Sequence, residues 1–286
     1  MIEVVGPGPL ATVQDLGRPG YAHLGVPHSG AADAPSLRLA NRLVGNPEDA
    51  AGLELTFGGA CLRFREPAWI AVTGAPLTVT AGGRALGMNA PCHVRAGASV
   101  GFGTPVAGVR TYLAVRGGLA VEPVLGSRSA DLLSGLGPPA LSPGDLLPVG
   151  PAQVVASLRD ISVDVAPVPP LAAEPTLRVM PGPRDDWFTE DAIVRLTHEP
   201  YEVTAHSNRV GVRLRGPVLG RGRDGELSSE GMPAGALQVP PDGLPIIFLA
   251  DHPTTGGYPV IAVLVSADLP VAAQLCPGQR LRFHAV

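Results

Sequence analysis

Short apolar runs closed by glycine or proline set the limits on what this chain can fold into. "AWIAVTG", "LTVTAGG", "SVGFG", "TYLAVRGG" and "DLLPVG" each carry a few β-branched or apolar residues, then a residue that turns or breaks the backbone. Runs this short read as strands. The 37 glycines and 32 prolines punctuate them instead of forming tracts, which is the pattern of a many-stranded β protein and not of a low-complexity chain. With 286 residues, 45% of them hydrophobic, the chain can build one large β domain or two smaller ones.

All 21 basic residues are arginine. The absence of lysine excludes a P-loop, a Schiff base and a covalently carried biotin, each of which needs a lysine amine. Any cation that grips a carboxylate or phosphate must then be an arginine, a metal or a helix N-terminus. The net charge of −4 and the lack of a basic tract argue against a nucleic-acid partner. No window approaches eighteen uninterrupted apolar residues, so no membrane association is expected. The start of the chain has neither a basic nor an apolar leader region, and a cytoplasmic location is expected. Three widely spaced cysteines, Cys61, Cys92 and Cys276, fit reduced thiols.

Two segments have helical character. In "DAPSLRLANRLVGN", Asp33 is placed to cap, Pro35 lies in the first turn, and Leu37, Ala40, Leu43 and Val44 share a face. In "TEDAIVRLTHEP", Thr189 caps and Pro200 terminates. "RVGVRLRG" alternates, with Val210, Val212 and Leu214 on one face and Arg209, Arg213 and Arg215 on the other, as in a half-buried strand. The proline- and alanine-rich stretch after residue 163 predicts three regions: a β-rich half over 1–165, a linker over 166–176 and a second β-rich half over 177–286.

Four segments carry more polar chemistry than a fold requires. "VQDLGRPGYAHLGVPHSGAAD" gathers Asp15, Arg18, His23, Ser29 and Asp33 in a glycine-rich run before a helix start, where an anion could meet free amides and an arginine fork. Against that, Asp33 reads as an N-cap and Asp15 with Arg18 as a turn ion pair. "HSNRVGVRL" supplies Ser207, Asn208 and Arg209; Asn208 also suits a left-handed turn. "SSEGMPAGALQVPPDGLP" supplies Glu230 and Gln238. "ADHPTTGGYP" places Asp251, Thr254, Thr255, Gly256, Gly257 and Tyr258 between two apolar runs, far more than a hairpin turn needs. A Ser29–His23–Asp33 triad can be written, but no G-x-S-x-G elbow accompanies it. The seven histidines show no zinc spacing, and no metal is expected on this chain.

The stretches "VQDLGRPGYAHLGVPHSGAAD", "LRLANRLVGNPEDAAGLELTFGG", "RTYLAVRGG", "MPGPRDDWF", "SNRVGVRLRGP", "SEGMPAGALQVPPDGLPI" and "TTGGYPVIAVLVSADLP" resemble the biotin-dependent carboxyltransferase family. This is the allophanate hydrolase subunit 2 type, whose stand-alone bacterial members are the C-type subunits of 5-oxoprolinase. The resemblance runs from about residue 4 to the C-terminus. It implies a mainly β fold of cyclophilin-like β-barrel architecture, a companion B-type subunit of 5-oxoprolinase and a third, A-type subunit. It implies an ATP-dependent, heteromeric hydrolase that opens 5-oxo-L-proline to L-glutamate, inactive as a single chain. Pro253 stands where the family pattern has Gln, and Ala32 where it often has Met.

The chemistry of that reaction assigns roles to the positions above. Asp15 and Glu230 are candidate bases, Arg18 and Arg209 candidate cations for the substrate carboxylate, and Thr254, Thr255 and the Gly256–Gly257 amides candidate oxyanion donors. His23 and Tyr258 join them as proton donors or acceptors, and Ser29, Asp33, Ser207, Asn208, Gln238 and Asp251 as substrate contacts. Two other readings stand beside this one. The chain could serve carboxyl transfer from carboxybiotin, held on another chain, to urea or a related amide. It could also be a non-catalytic regulator that binds the companion protein when that protein inhibits a sporulation kinase.

Overall fold

The computed structural model describes residues 1–151, 160–223, 225 and 227–286. The chain is mainly β and forms two compact units, one of residues 1–18 with 29–171, the other of residues 19–28 with 172–286.

The first unit runs β1 (Ile2–Gly6), β2 (Leu10–Gln14), α1 (Ala34–Leu43), β3 (Gly52–Thr56), β4 (Cys61–Phe64), β5 (Ala68–Gly74), β6 (Val79–Ala81), β7 (Arg84–Leu86), β8 (Pro91–Val94), β9 (Ser99–Phe102), β10 (Arg110–Val115) and β11 (Leu146–Leu147). Two sheets result, in strand order β11-β1-β4-β9-β6-β7 and β2-β3-β10-β5-β8. Ile2, Val4, Leu62, Phe64 and Val100 from the first sheet pack with Val13, Leu53, Leu55, Ile70 and Leu113 from the second in one core. This is the inward half of each alternating strand. Every residue of β10 is buried, because α1 covers the other face of its sheet. Ala40, Leu43 and Val44 sit on Ala71 and Ala114, and Leu37 sits on Tyr112.

Helix α1 starts where the sequence predicts. Asp33 accepts from the Ser36 amide at 3.1 Å and from the Ser36 hydroxyl at 2.7 Å. A buried polar tie fixes the same end to the sheet. The Tyr112 hydroxyl donates to Glu54 at 2.7 Å and accepts from the Asp33 amide at 2.8 Å, while Glu54 also accepts from the Ala32 amide at 3.0 Å. Burial, reinforced by the nearby Glu54 carboxylate, pushes the Tyr112 phenol well above its ordinary range, so it serves as a permanent donor.

The second unit runs β12 (Thr176–Pro181), α2 (Glu190–His198), β13 (Tyr201–Val203), β14 (Gly211–Arg215), β15 (Glu230–Gly231), β16 (Ala236–Gln238), β17 (Ile246–Phe248), β18 (Thr255–Gly256), β19 (Val260–Leu264), α3 (Leu269–Ala273) and β20 (Arg280–Ala285). Seven strands close a barrel in the order β12-β19-β16-β17-β14-β13-β20, and the parallel pairing of β12 with β20 shuts it. Leu177, Val179, Val212, Leu214, Leu237, Ile247, Ile261, Leu281 and Phe283 fill it. Thr189 caps α2 by accepting from the Ala192 amide at 3.2 Å. The two remaining strands, β15 and β18, form a separate ribbon that pairs Glu230 with Gly256 and Gly231 with Thr255.

The strand expected over "RVGVRLRG" begins at Gly211, and Val212 and Leu214 point inward as the alternation predicts. Arg209 precedes it and is not on the exposed face with Arg213 and Arg215: it is only 2% exposed. Among the described residues no helix is long and apolar enough to cross a membrane.

Candidate functional site

In the first unit, Asp15 is the hub of a loop anchor. One carboxylate oxygen accepts from the Gly17 amide at 2.8 Å and from the hydroxyls of Ser127 and Ser129 at 2.6 and 2.5 Å. The other accepts from the Arg128 amide at 2.6 Å. Gly30, at a φ of +97°, lets this segment fold onto residues 16 and 17, where a Cβ would lie 2.8 Å from the Gly17 nitrogen. Arg18 is 1% exposed, and its Nε and Nη2 donate to the carbonyls of Val124 and Ser129. Asp15 and Arg18 are therefore not a turn ion pair; each fastens the 124–131 loop separately. Ser29 donates to the Ala130 carbonyl at 3.2 Å, and Asp33 caps α1. His23 is exposed on a 3₁₀ turn over Ala22–Leu24.

In the second unit, Arg209 and Asp251 form a buried bidentate pair, Nε to Oδ2 at 2.8 Å and Nη2 to Oδ1 at 2.9 Å, with exposures of 1% and 0% for the two side chains. The fork matches the carboxylate plane, so each charge neutralises the other. Asn208 accepts from the Val210 amide at 2.8 Å and makes the turn that precedes β14. Ser207 accepts from the Arg213 amide at 3.0 Å. These two residues shape the hairpin entrance.

The β15–β18 ribbon gathers most of the remaining candidates. Arg184 grips both oxygens of Glu230, with Nε to Oε2 at 3.0 Å. Gln238, 6% exposed, donates to the Tyr258 carbonyl at 3.3 Å. Gly256 leaves room for the Gln238 amide: a Cβ there would lie 2.6 Å from its nitrogen, so a side chain at this position would displace Gln238. The backbone carbonyl of Thr254 accepts from the Met232 amide at 3.0 Å, which leaves the exposed Thr255 and Gly257 and the 45%-exposed Tyr258 along the outer rim. Tyr258 lies under the Arg221 guanidinium at 6.0 Å.

The Arg184 fork holds the Glu230 carboxyl below the usual carboxylate range, with slight burial opposing it. Glu230 is thus ionised through neutral pH and has no proton to give. Because its folded-state pKa is depressed, its contribution to stability is full above the ordinary value of 4.5 and fades as pH falls through the lowered one. Glu230→Gln is expected to flatten the acid limb of the unfolding midpoint measured between about pH 3 and pH 7. An acid limb unchanged from wild type would mean that the pair adds nothing, as exposed ion pairs often do.

A family model for the carboxyltransferase domain, subdomains A and B, matches residues 24–285. The chain belongs to this carboxyltransferase domain family. The C subunit of 5-oxoprolinase from Escherichia coli (strain K12) is 38% identical over 286 residues, which span 99% of this chain and 90% of that protein. The protein of the same name from Haemophilus influenzae is 32% identical, and the match covers 100% of this chain and 91% of that one. The solved K. lactis urea amidolyase aligns at a TM-score of 0.93 with 35% identity, over all of this chain but only 18% of that one. The carboxyltransferase match includes the ribbon, the Arg209–Asp251 pair, Ser29 and Asp33, and begins after Asp15, Arg18 and His23.

Two groups of residues in this carboxyltransferase domain escape a reading of the sequence. Ser127 and Ser129 lie 112 and 114 positions from the Asp15 they serve. Arg184 and Arg221 come from loops outside the four polar segments, although "MPGPRDDWF" belongs to the resemblance and carries the first of them. Among the described residues no group of three or more His, Cys, Asp or Glu could hold a metal ion.

Proposed function

We propose that this chain is part of an ATP-dependent 5-oxoprolinase, a complex that opens 5-oxo-L-proline to L-glutamate with companion subunits of the B and A types. The observation that carries the reading is the 38% identity to a 5-oxoprolinase C subunit along nearly the whole of both chains. The chemistry of the rim agrees with it. A lactam carbon is a poor electrophile; phosphorylation of its carbonyl oxygen by ATP activates it, and water adds to that carbon. The ring C–N bond then breaks as the nitrogen takes a proton, and a second water hydrolyses the resulting acyl phosphate to carboxylate and phosphate. The protein's share of such a step is to orient the ring and to place donors where negative charge grows. Thr255 and Tyr258 offer hydroxyls on the open side of a ribbon fixed by the Arg184–Glu230 pair and by Gln238. In this reading Glu230 positions the ribbon, since its carboxylate is already engaged.

The K. lactis likeness favours a second reading, carboxyl transfer to urea or a related amide. A covalently carried biotin does not fit this chain, which has no lysine, so that reaction would need the carrier on another chain. Reconstitution separates the two. With companion subunits present, adding this chain is expected to switch on glutamate release from 5-oxoproline and ATP. Urea-dependent loss of carboxybiotin without glutamate would transfer the protein to the second reading, and tight partner binding with neither activity would make it a regulator.

A further inference from the structure

We infer that Arg221 is the cation that receives the carboxylate of the lactam substrate, on a ledge formed with Tyr258; this rests on the 5-oxoprolinase reading above. Arg184 and Arg221 reach the ribbon and its rim, Arg223 follows on the same loop as Arg221, and the three are engaged differently. Arg184 is spent on Glu230, and Arg223 lies 2.8 Å from Asp186. Arg221 has no ion-pair partner among the described residues. Its Nη2 donates to the Val239 carbonyl at 3.0 Å, and its Nε is sealed from water without an acceptor. With no carboxylate on it among the described residues, this half-buried fork is open to an anion that arrives from outside.

The loop is built to hold that group still. Arg221 makes an isolated β-bridge with Phe188, flanked by the Thr189 amide donating to the Gly220 carbonyl at 3.1 Å and the Gly222 amide donating to the Trp187 carbonyl at 2.8 Å. A Cβ at Gly222 would crowd the Phe188 carbonyl at 3.3 Å, so glycine permits the close approach. At the far end, the guanidinium lies 6.0 Å above the Tyr258 ring, and the Val239 amide donates to the Pro259 carbonyl at 3.0 Å. Backbone clamps, a carbonyl and an aromatic face thus fix a planar fork beside the "TTGGYP" rim. A fixed fork suits a planar carboxylate better than a mobile ammonium would. The sequence points to Arg18 and Arg209 for this task, but Arg18 is 1% exposed against loop carbonyls and Arg209 is neutralised by Asp251.

The phosphates of ATP share this anion chemistry, so the test reads both substrates. In the assembled complex, Arg221→Ala is expected to raise the KM for 5-oxoproline by about 30-fold, the size of losing a charged hydrogen-bonded contact. The KM for ATP and the thermal midpoint should stay near wild type, and Arg221→Lys should recover part of the loss. A rise in the KM for ATP alone would overturn the assignment in favour of a phosphate site. An unchanged KM with a lowered midpoint would make Arg221 structural. Titration of the complex with 5-oxoproline and with 2-pyrrolidinone, the same lactam without its carboxylate, reads the contact without turnover. If glutamate release fails yet binding depends on both the carboxylate and Arg221, the reaction falls and the site stands. Binding indifferent to either would remove the site.

Discussion

Asp251→Ala is expected to lower the unfolding free energy of the second unit by about 3–5 kcal/mol, the usual cost of stranding one partner of a buried ion pair. The reason lies in the geometry. Arg209 and Asp251 are both almost fully buried and meet through two hydrogen bonds of 2.8 and 2.9 Å. Removal of the carboxylate leaves a guanidinium in a place where water cannot reach it freely. The two tryptophans make the measurement specific, since Trp187 packs against the barrel core while Trp69 belongs to the first unit. Urea unfolding followed by Trp187 in a Trp69→Phe background should show the midpoint shift. Arg213→Ala, on the exposed side of β14, is the control and should move it by less than about 0.5 kcal/mol. An Asp251 variant that behaves like the control would mean that the pair does not anchor this end of β14.

Asp15→Ala should cost the first unit about 3–4 kcal/mol, and Trp69 fluorescence in a Trp187→Phe background is its readout. The carboxylate accepts from two amides and two hydroxyls. Each buried donor left without an acceptor costs about 1–3 kcal/mol, although the serine hydroxyls can rotate toward other acceptors and reduce the sum. Asp15→Asn keeps one acceptor oxygen and should fall between wild type and alanine. If alanine costs less than about 1 kcal/mol, the 124–131 loop has a support other than Asp15.

The parts of the fold visible in the sequence are those that local chemistry determines. Asp33 and Thr189 cap helices as their residue types foretell, and Val212 and Leu214 take the inward side of β14. Closure of the barrel is not legible from any run, because β12 meets β20 in parallel across the whole second unit. Helix α3 has five residues, too few to show a period. The same separation of local from distant explains the candidate site. The ribbon motif "TTGGYP" announces itself by an excess of polar and glycine residues over what a turn requires. Its supports do not, since Arg184 reaches Glu230 across 46 positions and Arg221 acts through the Tyr258 ring and the Val239 carbonyl. Arg209 misleads for the opposite reason: alternation places it with the exposed Arg213 and Arg215, whereas the turn set by Asn208 directs it to Asp251.

If the rim of the β15–β18 ribbon is a wall of a lactam-opening site, its hydroxyls must matter to turnover. The most direct test is the rate of the reconstituted complex carrying Thr255→Ala together with Tyr258→Phe, beside wild type, with assembly checked by size-exclusion chromatography. Loss of donors to a developing negative charge predicts a fall in kcat of about 100-fold with the complex intact. Glutamate release at the wild-type rate from the same intact complex would contradict this role and place the chemistry away from this ribbon.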